Sequence, residues 1–515
     1  MKYFKCSSLV FLFGLLLLTS CKNDPEAFGT AAYIPASATS VTGFDIQRMM
    51  DKADFESVKD MEFYREMVGK ASKQSDVIAA VLKDPTKSGI DLSGKIYMST
   101  DVNKDDPELF TTHILVPLND ANAFGKLISA TDIKVEKKNG LNISGANGNG
   151  GTMIWDDKLL ALSISNNDTV DTEVKTKMLF ELSPEQSIAS NKNFTSAVEA
   201  DHDMVTWMST NTLAGNPAAR MALVAIDVDR DALKDNFIHG YGDFENGKMV
   251  AHTDFYFNSE LDRNILGRFF KDESSADFSK VLPTNDLTFA MKGALNLRGM
   301  DKFLSERPQT KEYADLVMND FAGFERKQIL ETLSGDVMVA AYAGDENQSE
   351  NFITALALKN NKKAKAMLQK AVADKKLKEV EPGLYNVVQL GGEDFSIRIN
   401  KGMGKFLHFE DMLVYSPNED LLMQIKNGDI SLGGKKINNA LDHFDNQTMA
   451  GWFDFQSLES KVGDLPTNFF KDVRFNMNSK GADFILETSK PEQNSLKTIF
   501  EMMEQQYLKE NRQSM

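Results

Sequence analysis

Leu18-Thr19-Ser20-Cys21 is the stretch with the most definite chemistry in the chain. Small residues ahead of a cysteine let a signal peptidase close on the bond before it. Cys21 then offers a thiol that can carry a diacylglycerol. An apolar run, Leu9–Leu18, precedes it and follows Lys2 and Lys5. Such a run is too short to cross a bilayer as a helix and suits a secretory signal. The sequence therefore predicts a lipoprotein signal over residues 1–20 and lipidation at Cys21. A tether follows over residues 21–32, with Asn23-Asp24-Pro25 as a chain breaker.

Other chemistries are weakly written. The six histidines are His113, His202, His239, His252, His408 and His443. None pairs at i,i+4 around a glutamate, so the zincin pattern is missing. His408 and Glu410 sit two apart, which on a strand turns both to one side. A third ligand would have to come from His443 or His113 elsewhere in the fold. Cys6 leaves with the signal and Cys21 is acylated, so no thiolate remains for a metal, a disulfide or a nucleophile. The reading is no metal site and no cofactor.

Asp227-Val228-Asp229-Arg230-Asp231 opens like a calcium loop, but Ala232 and Ile238 stand where that loop needs Gly and Glu. It reads as a turn entering a helix over Asp231–Phe237. Gly145–Gly151 is glycine-dense but is not followed by the Lys-Ser or Lys-Thr of a phosphate loop, and it reads as a hairpin loop. Gly-x-Ser-x-Gly does not occur. Asp156-Asp157 and Glu410-Asp411 fall at hairpin tips, where no apolar pocket raises a carboxyl pKa for glycoside hydrolysis. Trp155, Trp207 and Trp452 read as core residues. No residue is assigned a catalytic role.

The elements that would position these residues occur twice. Tyr33-Ile34-Pro35 followed by Val41–Phe44 is echoed by Val281-Leu282-Pro283 followed by Leu287–Ala290. Short helices come next, Asp45–Met50 and Arg298–Leu304. Met61, Tyr64, Met67 and Val68 share a helical spacing, as do Tyr313, Leu316, Val317 and Phe321. Leu92-Ser93-Gly94 and Leu333-Ser334-Gly335 each lead into a strand. Ile114–Leu118 runs into helix Ala121–Ser129, and Ile353–Leu358 into helix Lys362–Val372. Met204-Val205-Thr206-Trp207 is echoed by Met449-Ala450-Gly451-Trp452. Asp254–Phe257 and Asp483–Leu486 are each followed by a helical pattern. The preserved order predicts an α+β fold of two tandem, duplicated units, 33–272 and 276–515. Each would be an antiparallel sheet with helices on one face, and Asp272–Ser275 would divide them.

Composition bounds the partners. The chain has 515 residues, 42% hydrophobic and 26% charged, as a globular body requires. Its net charge is −17, which repels phosphate backbones and anionic lipid and argues against nucleic acid.

Tyr33-Ile34-Pro35 and the run Asp84-Pro85-Thr86-Lys87-Ser88-Gly89-Ile90-Asp91 add a further indication. With the Cys21 motif, they give the chain a resemblance to a family of uncharacterised lipoproteins of the Bacteroidota, a domain of unknown function. The resemblance implies an envelope location and brings no catalytic residue. It also implies O-glycosylation at Asp-Thr/Ser before an apolar residue. Asp168-Thr169-Val170 fits, which makes Thr169 the candidate acceptor.

The expectation is an outer-membrane, lipid-anchored, non-catalytic binding or scaffold protein whose partner is an envelope protein or a glycan. The alternatives are an envelope enzyme with a polar site that sequence order does not reveal, and a carrier for an apolar ligand. Cys21→Ser is expected to shift the chain from the membrane to the soluble fraction. Retention in membranes would overturn the anchor.

Overall fold

The computed structural model describes residues 29–513, apart from 74, 104–105, 107, 132, 146–150, 199–200, 213–220, 222–229, 284–286, 307–325, 344–350, 391–396, 399–403, 430–446 and 459–468. Cys21 and the signal lie outside the described residues. So do the start of the calcium-like loop, Asp227–Asp229, the loop centre Ala146–Gly150, the helical pattern Tyr313–Phe321, and His443. The chain forms two compact units, Met1–Asn258 with Thr488–Met515, and Ser259–Glu487. The division falls after Asn258, ahead of the polar run at 272–275, and the last helix belongs to the first unit.

The first unit opens on a 3-10 turn, Gly29–Tyr33, in which Thr30 and Ala31 are buried. The expected tether is therefore already part of the packed body by residue 30. Strand β1 (Ser40–Phe44) leads into α1 (Ile46–Ala53), where Asp45 caps the first turn by accepting from the Arg48 amide. Ile46, Met50 and Ala53 are its buried face. Three more helices follow, α2 (Phe55–Lys59), α3 (Glu62–Ser72) and α4 (Asp76–Lys83). Then come β2 (Ile96–Val102), β3 (Phe110–Pro117), α5 (Ala121–Ser129), β4 (Glu136–Lys138), β5 (Leu141–Gly145), β6 (Gly151–Trp155) and β7 (Leu159–Ser165). The remaining elements before the second unit are α6 (Thr172–Leu179), α7 (Lys192–Val198), β8 (Met204–Ser209), β9 (Phe237–Glu245) and β10 (Lys248–Tyr256). The helix expected over Asp231–Phe237 is instead a 3-10 turn, Arg230–Leu233, and Phe237 begins β9. Asp235 adopts φ 58° and the Asn236 side-chain Nδ2 donates to the carbonyls of Ala232 and Lys234, which ends the helical path.

All strands of this unit pair antiparallel, in the order β10-β9-β8-β1-β2-β3-β7-β6-β5-β4. Both faces of the sheet are covered, which corrects the expected single helical face. Val116, Leu160 and Trp155 face a core built with Tyr64, Leu82 and Phe124. Leu115, Ala161 and Trp207 face a second core under Ala31, Leu179 and Phe194. Strand β7 is buried at nearly every position, as a strand sandwiched between two cores must be.

The second unit begins with helical turns over Glu260–Leu266 and Gly267–Phe269. It continues through β11 (Leu287–Ala294), α8 (Leu297–Ser305), α9 (Arg326–Thr332), β12 (Leu333–Tyr342), β13 (Phe352–Leu358), α10 (Asn361–Ala373), β14 (Leu377–Glu381) and β15 (Leu384–Val387). A separate short pair, β16 (Gln389–Leu390) and β17 (Ile397–Arg398), precedes β18 (Lys405–Phe409) and β19 (Met412–Ser416). The unit ends with α11 (Glu419–Asn427), β20 (Met449–Asp454), β21 (Phe470–Met477) and β22 (Gly481–Thr488). The pairing runs β21-β20-β11-β12-β13-β19-β18-β15-β14, again antiparallel. This is the same order as β9-β8-β1-β2-β3-β7-β6-β5-β4. Trp207 on β8 lies opposite Val41 of β1, and Trp452 on β20 lies opposite Ala290 of β11. This sheet also has two cores, one around Trp452 and Val414 and one around Leu413 and Met367.

Helix α12 (Ser495–Gln513) returns to the first unit. Met61, at the N-cap of α3, has no side-chain acceptor. Glu504 of α12 supplies one, accepting from the amides of Glu62 (2.8 Å) and Phe63 (3.0 Å).

Gly89 is among the positions least able to change. Its φ is 80°, and a Cβ there would lie 2.1 Å from the Asp120 carbonyl oxygen. Its own carbonyl accepts from the Asn119 and Asp120 amides, which sets up the cap of α5. Gly89→Ala is expected to cost about 1–3 kcal/mol and lower Tm by roughly 2–10 °C in a thermal melt. An unchanged Tm would show that the turn is softer than its contacts imply.

Candidate functional site

A strongly charged cluster of the first unit is built around one carboxylate. Asp203 precedes β8, and its side chain is wholly buried. Two partners come from α1, where Arg48 and Lys52 are one helical turn apart and share a face. Lys52 Nζ donates to Asp203 Oδ2 at 2.6 Å, and the Phe244 amide of β9 donates to the same oxygen at 2.6 Å. Arg48 Nε lies 2.9 Å from Oδ1 as an ion pair rather than an aligned hydrogen bond. The backbone completes the junction, because the Asp45 amide donates to the Asp203 carbonyl at 2.9 Å. Asp243 takes the Asp203 amide at 3.2 Å and contacts His202 Nδ1 at 2.6 Å. The His202 ring stacks on Tyr241 at 3.7 Å.

Beside this junction lies a cleft of about 620 Å³, lined by Asp45, Arg48, Asp51, Lys52, Asp201 and Asn494 among others. Asp201 is 87% exposed and is held by Arg48 Nη1 at 2.6 Å. Burial works against the Arg48 charge, but Asp201, Asp203 and Asp243 outweigh it and push the guanidinium above its ordinary range. Burial would likewise raise Asp243. The His202 contact, the Asp203 amide and the Lys52 charge pull it below the ordinary carboxylate range instead. The stability Asp243 contributes is thus present above the ordinary carboxylate pKa and is lost as pH falls through its depressed value. Arg48 and Lys52 are committed to acids already in place. What faces solvent is the rim of Asp45, Asp51 and Asp201, an arrangement that can hold hydroxyl or cationic groups.

Other histidines lie apart from this cleft. His239 Nε2 and His252 Nε2 approach the two oxygens of Asp254 at 2.7 and 3.1 Å across the β9–β10 pair. Burial would raise the Asp254 pKa, but these two contacts hold it below the ordinary range. His113 Nδ1 lies 2.7 Å from Ser163 Oγ, and its Nε2 lies 3.4 Å from Asp101. The residue types are those of a hydrolase, but Ser163 is fully buried and takes a hydrogen bond from Thr176 of α6, so no substrate reaches it. His408 Nε2 lies 3.0 Å from Asn361 Oδ1, and burial with the Lys365 charge lowers its pKa. Glu410 turns away at the hairpin tip, with φ 48°, toward Lys280 at 3.2 Å. The pair proposed from spacing alone is therefore not brought together. Among the described residues, no three His, Cys, Asp or Glu side chains are grouped to hold a metal ion.

Thr169 sits in an exposed turn after β7, its hydroxyl donating to Asn167 Oδ1 at 2.9 Å. Asp156 caps its own hairpin turn, accepting from Lys158 and Leu159. Sequence reasoning did not single out Arg48, Lys52, Asp203 or Asp243. The one available signal was the Arg48–Lys52 pair opposite the apolar face of a short helix.

Asp203→Asn is expected to destabilise the first unit by about 2–3 kcal/mol in urea unfolding, because two cations and an amide lose a buried acceptor. Asp201→Asn, at the exposed end of the same network, is expected to cost less than about 1 kcal/mol. The opposite ranking would show that Asp203 is not the junction.

No curated protein matches the chain. Among solved structures, crystal form III of TP0453 aligns with a TM-score of 0.26 at 9% identity, covering 50% of this chain and 92% of that one. Crystal form I aligns at 0.25 and 8%, covering 50% and 91%. Likenesses this slight carry no argument. The family model for a domain of unknown function, DUF4836, matches residues 31–456, and the chain belongs to that family.

Proposed function

We propose that this chain is a lipid-anchored lipoprotein of the outer membrane of the Bacteroidota, and that it works as a non-catalytic binding or scaffold protein. The anchor reading is carried by Leu18-Thr19-Ser20-Cys21 behind a short apolar run. One acyl chain holds a protein marginally, whereas a diacylglycerol with a further acyl group anchors it stably. The binding reading is carried by the cleft beside Asp203. Its cations are neutralised from within and its rim is acidic, which suits a glycan or an envelope protein offering hydroxyl and ammonium groups.

We also infer that the body arose by duplication of one unit, read in sequence as 33–272 and 276–515. The shared strand-pairing order supports it. So do Trp207 and Trp452, which occupy corresponding strands with indole N–H groups that lack a hydrogen-bond partner in both units.

One observation favours a second reading, the carrier of an apolar ligand. In the second unit, Val339, Met291 and Phe475 line up across neighbouring strands, as do Phe289 and Phe453, and all are half-buried. Phe475 lies over Gly451, where a Cβ would be 2.2 Å from its ring.

Calorimetric titration of the full chain with oligomers of glucosamine separates the two readings from each other. Saturable binding, weakened about tenfold or more in an Asp51→Asn/Asp201→Asn variant, is the expected result. No heat with the amino sugar, together with saturable binding of a long-chain fatty acid, would replace the cleft reading with the carrier.

A further inference from the structure

The chain carries a net charge of −17, yet one surface of its second unit is strongly basic. Residues 359–381 hold eight lysines against three acids, Asp374, Glu379 and Glu381. They cover the residue before the cap of α10, α10 itself and all of β14. The fold does not demand this. The stretch at the same place in the first unit, residues 119–138 around α5, holds four lysines and three acids.

Packing turns the charge outward. Ala364, Met367, Leu368 and Ala371 are the buried face of α10, so Lys362, Lys363, Lys365 and Lys370 stand on the exposed one. Lys375 and Lys378 continue the exposed set past the helix end. Lys363 pairs with Glu331 at 2.5 Å. Lys362, Lys365, Lys375 and Lys378 have no carboxylate partner among the described residues. Two groups register the field. Burial, then Arg298, Lys271 and Lys363, lower the Lys359 pKa, and burial with Lys365 lowers that of His408.

We propose that this lysine face docks on the anionic headgroup surface of a bilayer. The partner follows from charge complementarity and from the anchor at Cys21, so the choice of a bilayer rests on the lipoprotein reading. Juxtamembrane lysines gain attraction to anionic lipid within a Debye length, and a basic surface is the usual second signal beside an acyl anchor. The second unit would lie with α10 toward the headgroups.

Vesicle binding tests this. The full chain with Cys21→Ser, which cannot be acylated, is sedimented with phosphatidylcholine vesicles with and without phosphatidylglycerol. Binding is expected only with the anionic lipid, and to fall away as ionic strength rises from about 0.05 to 0.5 M. K362E/K365E/K375E/K378E is expected to weaken it by about tenfold or more, and K126E/K134E/K137E/K138E on the first unit by less than about threefold. All eight side chains are exposed, and unchanged thermal melts would establish that both variants fold. Equal losses in the two variants would overturn the proposal, as would indifference to phosphatidylglycerol. Capture of dextran sulfate without vesicle binding would assign the face to a soluble polyanion and overturn it as well. Failure of the anchor reading shows separately, as wild-type protein whose Cys21 carries no acyl group by mass spectrometry or is stripped from cell membranes by a wash at about 0.5 M salt, and leaves the vesicle comparison intact.

Discussion

The Asp203 carboxylate has no contact with water, and the elements around it meet through its two oxygens. One side of it is a helix that would otherwise present two cations to the sheet. The other side is the end of β9, whose amide at Phe244 needs an acceptor at that depth. Removing a carboxylate from water is costly, and here three donors offset the cost. The position of α1 over the sheet edge follows from this. So does the cleft, whose walls are the outer ends of the same ion pairs.

The sheets of the two units face a common problem. Each is apolar on both sides, so each must be covered on both sides. In the first unit the helices between β1 and β3 cover one face, and α6, α7 and the 29–33 turn cover the other. The two units differ in what they tolerate beneath that second cover. The first holds Ser99, His113 and Ser163 on neighbouring strands, while the second holds Ala340, Ile353 and Ser416 on the strands at the corresponding places. A buried polar group is costly unless it is bonded; His113 meets this at Nδ1 through Ser163, which Thr176 holds in turn, while its Nε2 faces Asp101 at 3.4 Å without an aligned hydrogen bond.

Local order was legible in the sequence. Helix Ala121–Ser129 follows from its Asp120 cap and apolar spacing, and the structure has those limits. The hairpin between Trp155 and Leu159, the strands at Ile96 and Ile114, and the placing of Trp207 and Trp452 could be read from pattern. The double-sided cover could not, because Leu159–Leu162 reads equally as a strand with one buried face and a chance apolar neighbour. The site could not be read either. Arg48, Asp203 and Asn494 are brought together only by tertiary closure, and no local spacing joins residues so far apart. The histidines illustrate the same limit, since His239 and His252 share Asp254 only because β9 and β10 pair in one register.

Helix α12 has a consequence for the order of folding. Its contacts with the first unit span more than 400 residues, as in Glu504 to Glu62 and Lys497 to Asp54. Contacts of such separation form late. Leu496, Ile499 and Phe500 complete a small core with Ala53, Met49 and Phe244. The unit that leaves the ribosome first is therefore the last to be finished. A chain interrupted before α12 would display an open apolar seam and an uncapped α3, a ready target for proteolysis. Helix α12 in this way acts as a check on the chain, because only chains that extend through it can seal the first unit.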